Sequence, residues 1–275
     1  MIKNNQKFIG VFDSGFGGID ILRGIVQAMP QYNFIYLGDT ARTPYGTRSK
    51  EVVYEFTRQA VKFLFENDCE LVVLACNTAS SSALRKIQQE YLPKHYPNKR
   101  VLGVLIPAAE QAYEKTTNKR VGVIATSGTV ASGSFVREIT KLDQQVQIFQ
   151  QACPLLVPIV EEGEQDSEIT DIMLKKYLKP LIDQGIDTLV LGCTHYGILK
   201  KQIRKVIGKS VAIVSESESI PVKLADYLKR HPEICQKIGR EGVIKFFSTD
   251  LTDKFAVLGS QFFGRKIEAE KVSLD

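Results

Sequence analysis

Two cysteines stand at closely similar places in the sequence, each at the end of an apolar run. "VVLACNTAS" (72–80) contains Cys76, and "LVLGCTHYG" (189–197) contains Cys193. A thiol between a strand and a helix lies at the positive end of the helix dipole. Backbone N–H groups there stabilise a thiolate and should lower the thiol pKa from about 8.5. Each cysteine is therefore placed to act as a base or a nucleophile.

Two such thiols facing each other across one cleft would suit a specific reaction. One thiolate would remove a proton from a carbon, and the other thiol would return a proton to the opposite face. The stereocentre is thereby inverted, and exchanging the two protonation states runs the reaction backwards. General acid–base catalysis of this kind needs both groups within reach of the transferred proton.

The remaining cysteines give no reason to expect a disulfide framework or a metal site. Cys69, Cys153 and Cys235 bring the total to five, an odd number, and no CxxC pair is present. A structural zinc site is therefore not expected. These three residues are interpreted as small buried apolar side chains.

The composition is that of a globular protein with ample core, since 44% of its 275 residues are hydrophobic and 24% are charged. Its apolar runs are too short to span a bilayer, and the start, "MIKNNQKFIGVFDSG", lacks the apolar core of a signal peptide. We therefore expect a cytoplasmic protein without a membrane partner. The net charge is +5, and the densest basic stretch, "KKQIRKVIGK" (200–209), has the spacing of a solvated helix face. No nucleic-acid partner is expected.

The elements that must position the cysteines alternate between strands and helices. Helical spacing is found at 17–29, 49–68 and 168–185. Short apolar runs that predict strands lie at 7–12, 33–38, 70–75, 100–105, 122–126, 146–151, 188–192 and 211–214. Strands and helices at this interval predict an α/β fold with mainly parallel sheets.

An internal repeat predicts two similar α/β domains. "IGVFDSG" (9–15) and "VGVIATSG" (121–128) are both strands that run into a Ser-Gly loop, and a cysteine strand follows each of them. We expect a first domain at 1–99, to which 213–275 returns, and a second domain at 100–212. Open α/β sheets bind ligands beyond the carboxyl ends of their strands, so the active site should lie in the cleft between the domains.

Six blocks of the sequence, in order along nearly the whole chain, resemble the glutamate racemases within the aspartate/glutamate racemase family. They are "FDSGFGG" (12–18), "GDTARTPYG" (38–46), "ACNTAS" (75–80), "GTVASGSF" (128–135), "PLLVPIVEEGE" (154–164) and "GCTHYG" (192–197). The resemblance implies an isomerase that converts L-glutamate to D-glutamate for peptidoglycan synthesis by two-cysteine proton transfer, without metal or other cofactor. We also expect a homodimer with glutamate as its small-molecule substrate.

The resemblance also assigns roles to residues. Cys76 and Cys193 match the acid/base cysteines, Asp13 and His195 match assisting residues, and Glu161 is our choice for the carboxylate of the second domain, although neighbouring Glu162 leaves the register open. The residues that match the substrate-binding positions are Asp13, Ser14, Tyr45, Gly46, Asn77, Thr78, Thr194 and His195.

Each assignment has a structural alternative. Asp13 could be only the N-cap of the following helix, and Tyr45 and Gly46 could form an ordinary turn. His195 could be a buried histidine with satisfied hydrogen bonds, and Glu161 could be a solvated loop acid. "DSGFGG" is rich in glycine but does not follow the GxGxxG pattern of a dinucleotide loop.

Alternatives to a glutamate racemase also remain open at the level of function. The first is a racemase for aspartate or another acidic amino acid. The second is a non-catalytic amino-acid sensor or inhibitor on the same fold, although binding alone would require neither thiol. A cysteine hydrolase would need one nucleophile and one base rather than two equivalent thiols.

Overall fold

Two parallel β-sheets form the framework of the protein. The computed structural model describes residues 7–274, apart from the side chain of Lys254; residues 1–6, part of the segment used to exclude a signal peptide, lie outside the described residues. The strands are β1 (Phe8–Asp13), β2 (Phe34–Gly38), β3 (Cys69–Leu74), β4 (Arg100–Gly103), β5 (Arg120–Ala125), β6 (Gln147–Ala152), β7 (Thr188–Gly192), β8 (Ala212–Val214), β9 (Ile244–Ser248) and β10 (Ala269–Lys271).

Helices connect these strands and cover the sheets. They are α1 (Gly18–Ala28), α2 (Lys50–Glu66), α3 (Asn77–Ser82), α4 (Leu84–Lys86), α5 (Leu92–His95), α6 (Leu105–Lys115), α7 (Ser127–Ala131), α8 (Ser134–Leu142), α9 (Leu156–Glu161), α10 (Glu168–Asp183), α11 (Lys200–Ile207), α12 (Glu216–Arg230), α13 (Pro232–Cys235) and α14 (Asp253–Phe263). A π-helical turn, Ile87–Tyr91, joins α4 to α5, and 3₁₀ turns lie at Thr40–Arg42, Tyr45–Thr47 and Thr194–Gly197.

The larger sheet has the strand order β10-β9-β2-β1-β3-β4, and the smaller sheet has the order β6-β5-β7-β8. All strand pairs among the described residues are parallel. The predicted α/β class, with two parallel sheets, is therefore confirmed. β1 and β7 lie inside their sheets and are buried along their whole length, as expected for strands that are covered on both faces.

The placement of β4 differs from the expected domain limit at residue 100. β4 pairs with β3 in the larger sheet, with Val72 beside Val101, because its apolar residues extend that sheet's buried surface. β9 and β10 also belong to the larger sheet and were not predicted as strands. The limits of the two domains otherwise stay a prediction.

The core joins the two sheets. The largest cluster of buried apolar side chains contains Val11 and Tyr36 of the larger sheet together with Leu191 of the smaller one. α12 packs against both α1 and α6. Each sheet turns its carboxyl edge to loops that contact the other sheet's loops, and these loops build the site described below.

Among residues 7–274, none of the helices combines the length and the apolar character that crossing a membrane would require.

Candidate active site

Cys76 lies two residues beyond the end of β3 and caps α3. Its Sγ accepts a hydrogen bond from the backbone N–H of Ala79 at 3.5 Å and donates one to Ser14 Oγ at 3.3 Å. The thiol is buried. The predicted position between a strand and a helix is therefore observed.

Cys193 directly follows β7 and is also buried. It precedes the short 3₁₀ turn Thr194–Gly197, so no α-helix begins at this thiol. Its Sγ lies 4.0 Å from His195 Nδ1. The two cysteines thus share a sequence pattern and a strand-end position but not a local environment.

One cavity of about 30 Å³ joins the two thiols, although their strands belong to different sheets. Nine predicted site residues line it: Ser14, Tyr45, Gly46, Cys76, Asn77, Thr78, Cys193, Thr194 and His195; the other lining residues are Thr43, Pro44, Thr126 and Val157. This volume is about that of a single water molecule. The site is therefore closed more tightly than an amino-acid substrate would require.

The expectation that helix dipoles lower the pKa of both thiols is wrong for this closed site. Burial, reinforced by the nearby charge of Asp13, raises the pKa of Cys76 to about 12 despite the hydrogen bonds from Ser14 and Ala79. Burial likewise raises the pKa of Cys193 well above its ordinary value. Removing a thiolate from water outweighs the few N–H groups that face it, so both thiols are protonated here.

Asp13 ends β1 and is completely buried beneath the cavity. Its Oδ2 accepts hydrogen bonds from the backbone N–H groups of Gly15 and Gly18 at 3.1 and 3.2 Å, and its Oδ1 lies 3.5 Å from Thr194 Oγ1. Burial raises the pKa of Asp13, while neighbouring His195 lowers it. Asp13 is not the N-cap of α1, which is Gly17, but its carboxylate accepts from the first N–H of that helix and also lies next to Thr194.

His195 connects the Cys193 side of the site to Glu161. Its Nε2 lies 3.1 Å from Glu161 Oε1, and its Nδ1 lies 3.3 Å from Thr194 Oγ1. The imidazole is buried, and Phe16 meets it edge-on with ring centroids 5.6 Å apart. The contact with His195 favours Glu161 as the carboxylate of this site.

Tyr45 and Gly46 occupy a loop of the larger sheet that touches the smaller sheet. The Tyr45 hydroxyl donates to Asp39 Oδ2, so this group is already engaged. Gly46 packs directly on Thr126: a Cβ at position 46 would lie 2.7 Å from the Thr126 Cβ. Glycine is required here because the two loops approach so closely.

Three polar residues that contact the side chains of Thr78 or Asn77 were missed from the sequence. Thr126 and Thr129 approach the Thr78 hydroxyl, with Oγ1 atoms at 3.0 and 3.4 Å. Glu216 accepts a hydrogen bond from Asn77 Nδ2 at 2.9 Å. Thr126 is the last residue of the strand predicted at 122–126, and Glu216 stands two residues beyond the strand predicted at 211–214. Both are polar residues at strand ends, as are those that follow the cysteines, and that pattern could have identified them.

Comparison with known proteins places the chain in a family. A sequence model of the Asp/Glu/Hydantoin racemase family matches residues 9–216. The chain is 41% identical to the glutamate racemase of Geobacter metallireducens, over 98% of this chain and 97% of that protein. It is 40% identical to the glutamate racemase of a Sulfurihydrogenibium species, over 97% of each chain.

Solved structures agree with this relationship. A glutamate racemase isoform from Bacillus anthracis superposes with a TM-score of 0.90 at 33% identity, covering 98% of this chain and 99% of that one. The Francisella tularensis glutamate racemase, solved in complex with D-glutamate, gives a TM-score of 0.88 at 31% identity, with the same coverage of both chains.

The chain is a racemase and belongs to the Asp/Glu/Hydantoin racemase family. Within this family its relatives over nearly the whole length are glutamate racemases, so the resemblance found in the six sequence blocks is confirmed.

Proposed function

We propose that the protein interconverts L- and D-glutamate without a cofactor, with Cys76 and Cys193 as the two acid/base groups. One observation carries the proposal: the thiols come from the strand ends of two different sheets, yet they line the same small cavity. Thiols on opposite walls of a cavity can reach opposite faces of one carbon. A two-base inversion at the α-carbon of an amino acid requires this arrangement, because each group must reach the proton on its own face.

The proton transfer would run as follows. One cysteine, as thiolate, takes the α-proton and becomes a thiol, while the other thiol gives its proton to the opposite face and becomes a thiolate. Both thiols are protonated in the closed structure, so one of them must first lose a proton. The ammonium group of a bound amino acid would favour that loss, because a nearby positive charge stabilises a thiolate.

The proposed assisting groups lie on the two sides of the cavity. Asp13 lies beneath Thr194, and His195 joins Cys193 to Glu161. Short hydroxyl and amide side chains would hold the carboxylate and ammonium groups of the substrate: Ser14, Asn77, Thr78 and Thr194. Tyr45 and Gly46 would contribute ring surface and backbone.

Glutamate is favoured over aspartate by the relatives. Homologues at about 40% identity are named glutamate racemases, and the Escherichia coli glutamate racemase, solved in complex with L-glutamate, superposes over 98% of this chain with a TM-score of 0.78. The aspartate racemase of Picrophilus torridus shares 15% identity and a TM-score of 0.53, a likeness of fold alone.

We further propose that the protein supplies D-glutamate for peptidoglycan synthesis in the cytoplasm, as a homodimer. These statements follow from the relationship to glutamate racemases. They would be tested by complementation of a D-glutamate auxotroph and by light scattering of the purified protein.

The central test follows circular dichroism of purified protein with L-glutamate, D-glutamate and each enantiomer of aspartate, with no cofactor added. We expect the glutamate signal to decay to zero from either side, with little change for aspartate. When the reaction is run in D₂O, the product should carry deuterium at the α-carbon. Loss of activity in a chelator, or a requirement for pyridoxal phosphate, would overturn the mechanism; faster turnover of aspartate would overturn the substrate.

A further inference from the structure

The buried carboxyl group of Glu216 lies behind the cavity that contains the two thiols. Glu216 is the first residue of α12, and only 4% of it is exposed. With Asp20, Cys193 and Thr194 it lines a second cavity of about 10 Å³. Acidic side chains are rarely buried this deeply without a specific partner.

The partner of Glu216 is Asn77, a residue that also lines the cavity between the thiols. Asn77 Nδ2 donates to Glu216 Oε2 at 2.9 Å, across the gap between α3 and α12. The oxygen of the same amide, Asn77 Oδ1, is buried without a hydrogen-bond partner among the described residues. A buried acceptor without a donor is unfavourable unless a ligand supplies one.

The charge of Glu216 fits this arrangement. Burial raises the pKa of Glu216 well above its ordinary value, and the nearby charge of Asp13 acts in the same direction. Burial therefore favours the neutral, protonated form of this carboxyl group over its ionised form. The Oε2 atom accepts from Asn77 in either form.

We propose that Glu216 is a positioning residue that holds the Asn77 carboxamide so that its oxygen can accept a hydrogen bond from the ammonium group of the substrate. The inference rests on the proposed amino-acid substrate. An ammonium group donates three hydrogen bonds and accepts none, so it suits the unpartnered oxygen, whereas a carboxylate does not. Without Glu216, the amide can rotate and present its nitrogen instead.

The first experiment compares two replacements of nearly equal size. Glu216→Met fills the same volume without an acceptor oxygen and should raise KM for D-glutamate about ten-fold, with kcat changed less than about three-fold. Glu216→Gln keeps a carbonyl that accepts from Asn77 and should restore KM to within about two-fold of the wild type. Glu218→Met, at an exposed position of the same helix, is the matched control and should leave both constants unchanged.

A double variant separates positioning from a general effect on folding. If Glu216 acts through Asn77, then Asn77→Ala and Asn77→Ala/Glu216→Met should have the same KM. Equal effects support the proposal. A further rise of KM in the double variant, or an unchanged KM in Glu216→Met alone, would overturn it.

A second readout does not depend on racemisation. The side-chain amide protons of Asn77, assigned with Asn77→Ala, should exchange slowly with solvent in the wild type and Glu216→Gln, and at least ten-fold faster in Glu216→Met. If the wild type does not racemise glutamate, the proposed function fails, and this exchange measurement still tests the Asn77–Glu216 pair. Equal exchange in all three proteins would overturn the pair itself.

Discussion

At the scale of single residues, the two thiols show how similar sequences lead to different environments. Cys76 has a hydroxyl and a backbone N–H as neighbours, whereas Cys193 has the His195 imidazole. Asp13 contacts Thr194 and is close enough for its charge to raise the pKa of both thiols. The two thiols should therefore contribute unequally to the rates of the two directions of the reaction.

The first residue-scale prediction concerns the cysteines. Cys76→Ser and Cys193→Ser should each reduce racemisation by at least about 10²–10⁴-fold, because a hydroxyl is too weak an acid or base to replace a thiol. Each variant should still eliminate HCl from one enantiomer of β-chloroalanine, because elimination requires a single base. The resemblance to glutamate racemases implies that Cys76 acts on the D enantiomer and Cys193 on the L enantiomer. Cys193→Ser should therefore act on D-β-chloroalanine and Cys76→Ser on the L form, as measured by chloride and pyruvate release.

Cys235→Ser is a matched control, because Cys235 lies outside the site beside Tyr32. This variant should leave racemisation unchanged. Near-normal racemisation in both site variants would show that the repeat of cysteine strands is only structural. Elimination from the same enantiomer by both variants would contradict the assignment of one thiol to each face.

The second residue-scale prediction concerns the stability of the fold at different pH values. The pKa of Glu216 is raised above its value of about 4.3 in the unfolded chain, so its stabilising contribution is complete below that value and is lost as the pH rises through the folded-state pKa. Glu216→Gln has no proton to lose. From pH 5 to pH 8, the wild type should lose stability relative to this variant.

Urea unfolding of both proteins at the two pH values measures this difference. Glu218→Gln, which alters an exposed acid of α12, should follow the wild type. If the difference in unfolding free energy between the wild type and Glu216→Gln were the same at both pH values, the pKa of Glu216 would not be raised in the folded protein.

At the scale of elements, the contact between the Tyr45–Thr47 turn and the start of α7 aligns the two sheets at the site. Gly46→Ala adds a Cβ that would lie 2.7 Å from the Thr126 Cβ, so one of the two loops must move. Because small displacements of catalytic groups are costly, kcat/KM should fall about ten- to hundred-fold.

Arg48→Ala alters an exposed residue two positions further along and provides the control for the Gly46 variant. Steady-state kinetics and thermal unfolding should be measured together. If Gly46→Ala retained full activity, the contact between this turn and Thr126 would be irrelevant to catalysis.

At the scale of the whole molecule, the narrow cavity means that the two sheets must separate for a substrate to bind. The Arg85–Glu138 ion pair, at 2.6 Å, joins α4 to α8 and stabilises only the closed arrangement. Since Arg85 is about half exposed, the pair should contribute only about 0.2–1 kcal/mol. Arg85→Ala should therefore lower KM about two- to five-fold, because the open arrangement that admits a substrate becomes more populated, and the effect should shrink at high salt.

The exposed pair Lys179–Asp183 lies within α10 and offers the matching control. Lys179→Ala removes a similar ion pair without affecting closure and should leave KM unchanged. An equal fall of KM in both variants would mean that Arg85 has no special part in closure.

The sequence by itself determined the fold class and most of the candidate site. Short continuous apolar runs such as β1 and β7 predict strands buried on both faces because they are too short for helices. Amphipathic spacing marked α2 and α10 to within two residues at each end. Strand-end cysteines followed by polar residues marked the sheet edges that form the candidate site. These features are local, so they can be derived from neighbouring residues alone.

Only the tertiary structure decided the pKa values of the site residues and the long-range contacts that position them. Burial depends on what the other sheet places over a residue, and for this reason the thiol pKa values are raised although the local pattern predicted the opposite. The Asn77–Glu216 hydrogen bond joins residues 139 positions apart. β9 joined the larger sheet by pairing with the distant strand β2, where Phe34 lies beside Ile244, and β10 then paired with β9. Desolvation and long-range pairing are properties of the packed molecule, which no short stretch of sequence contains.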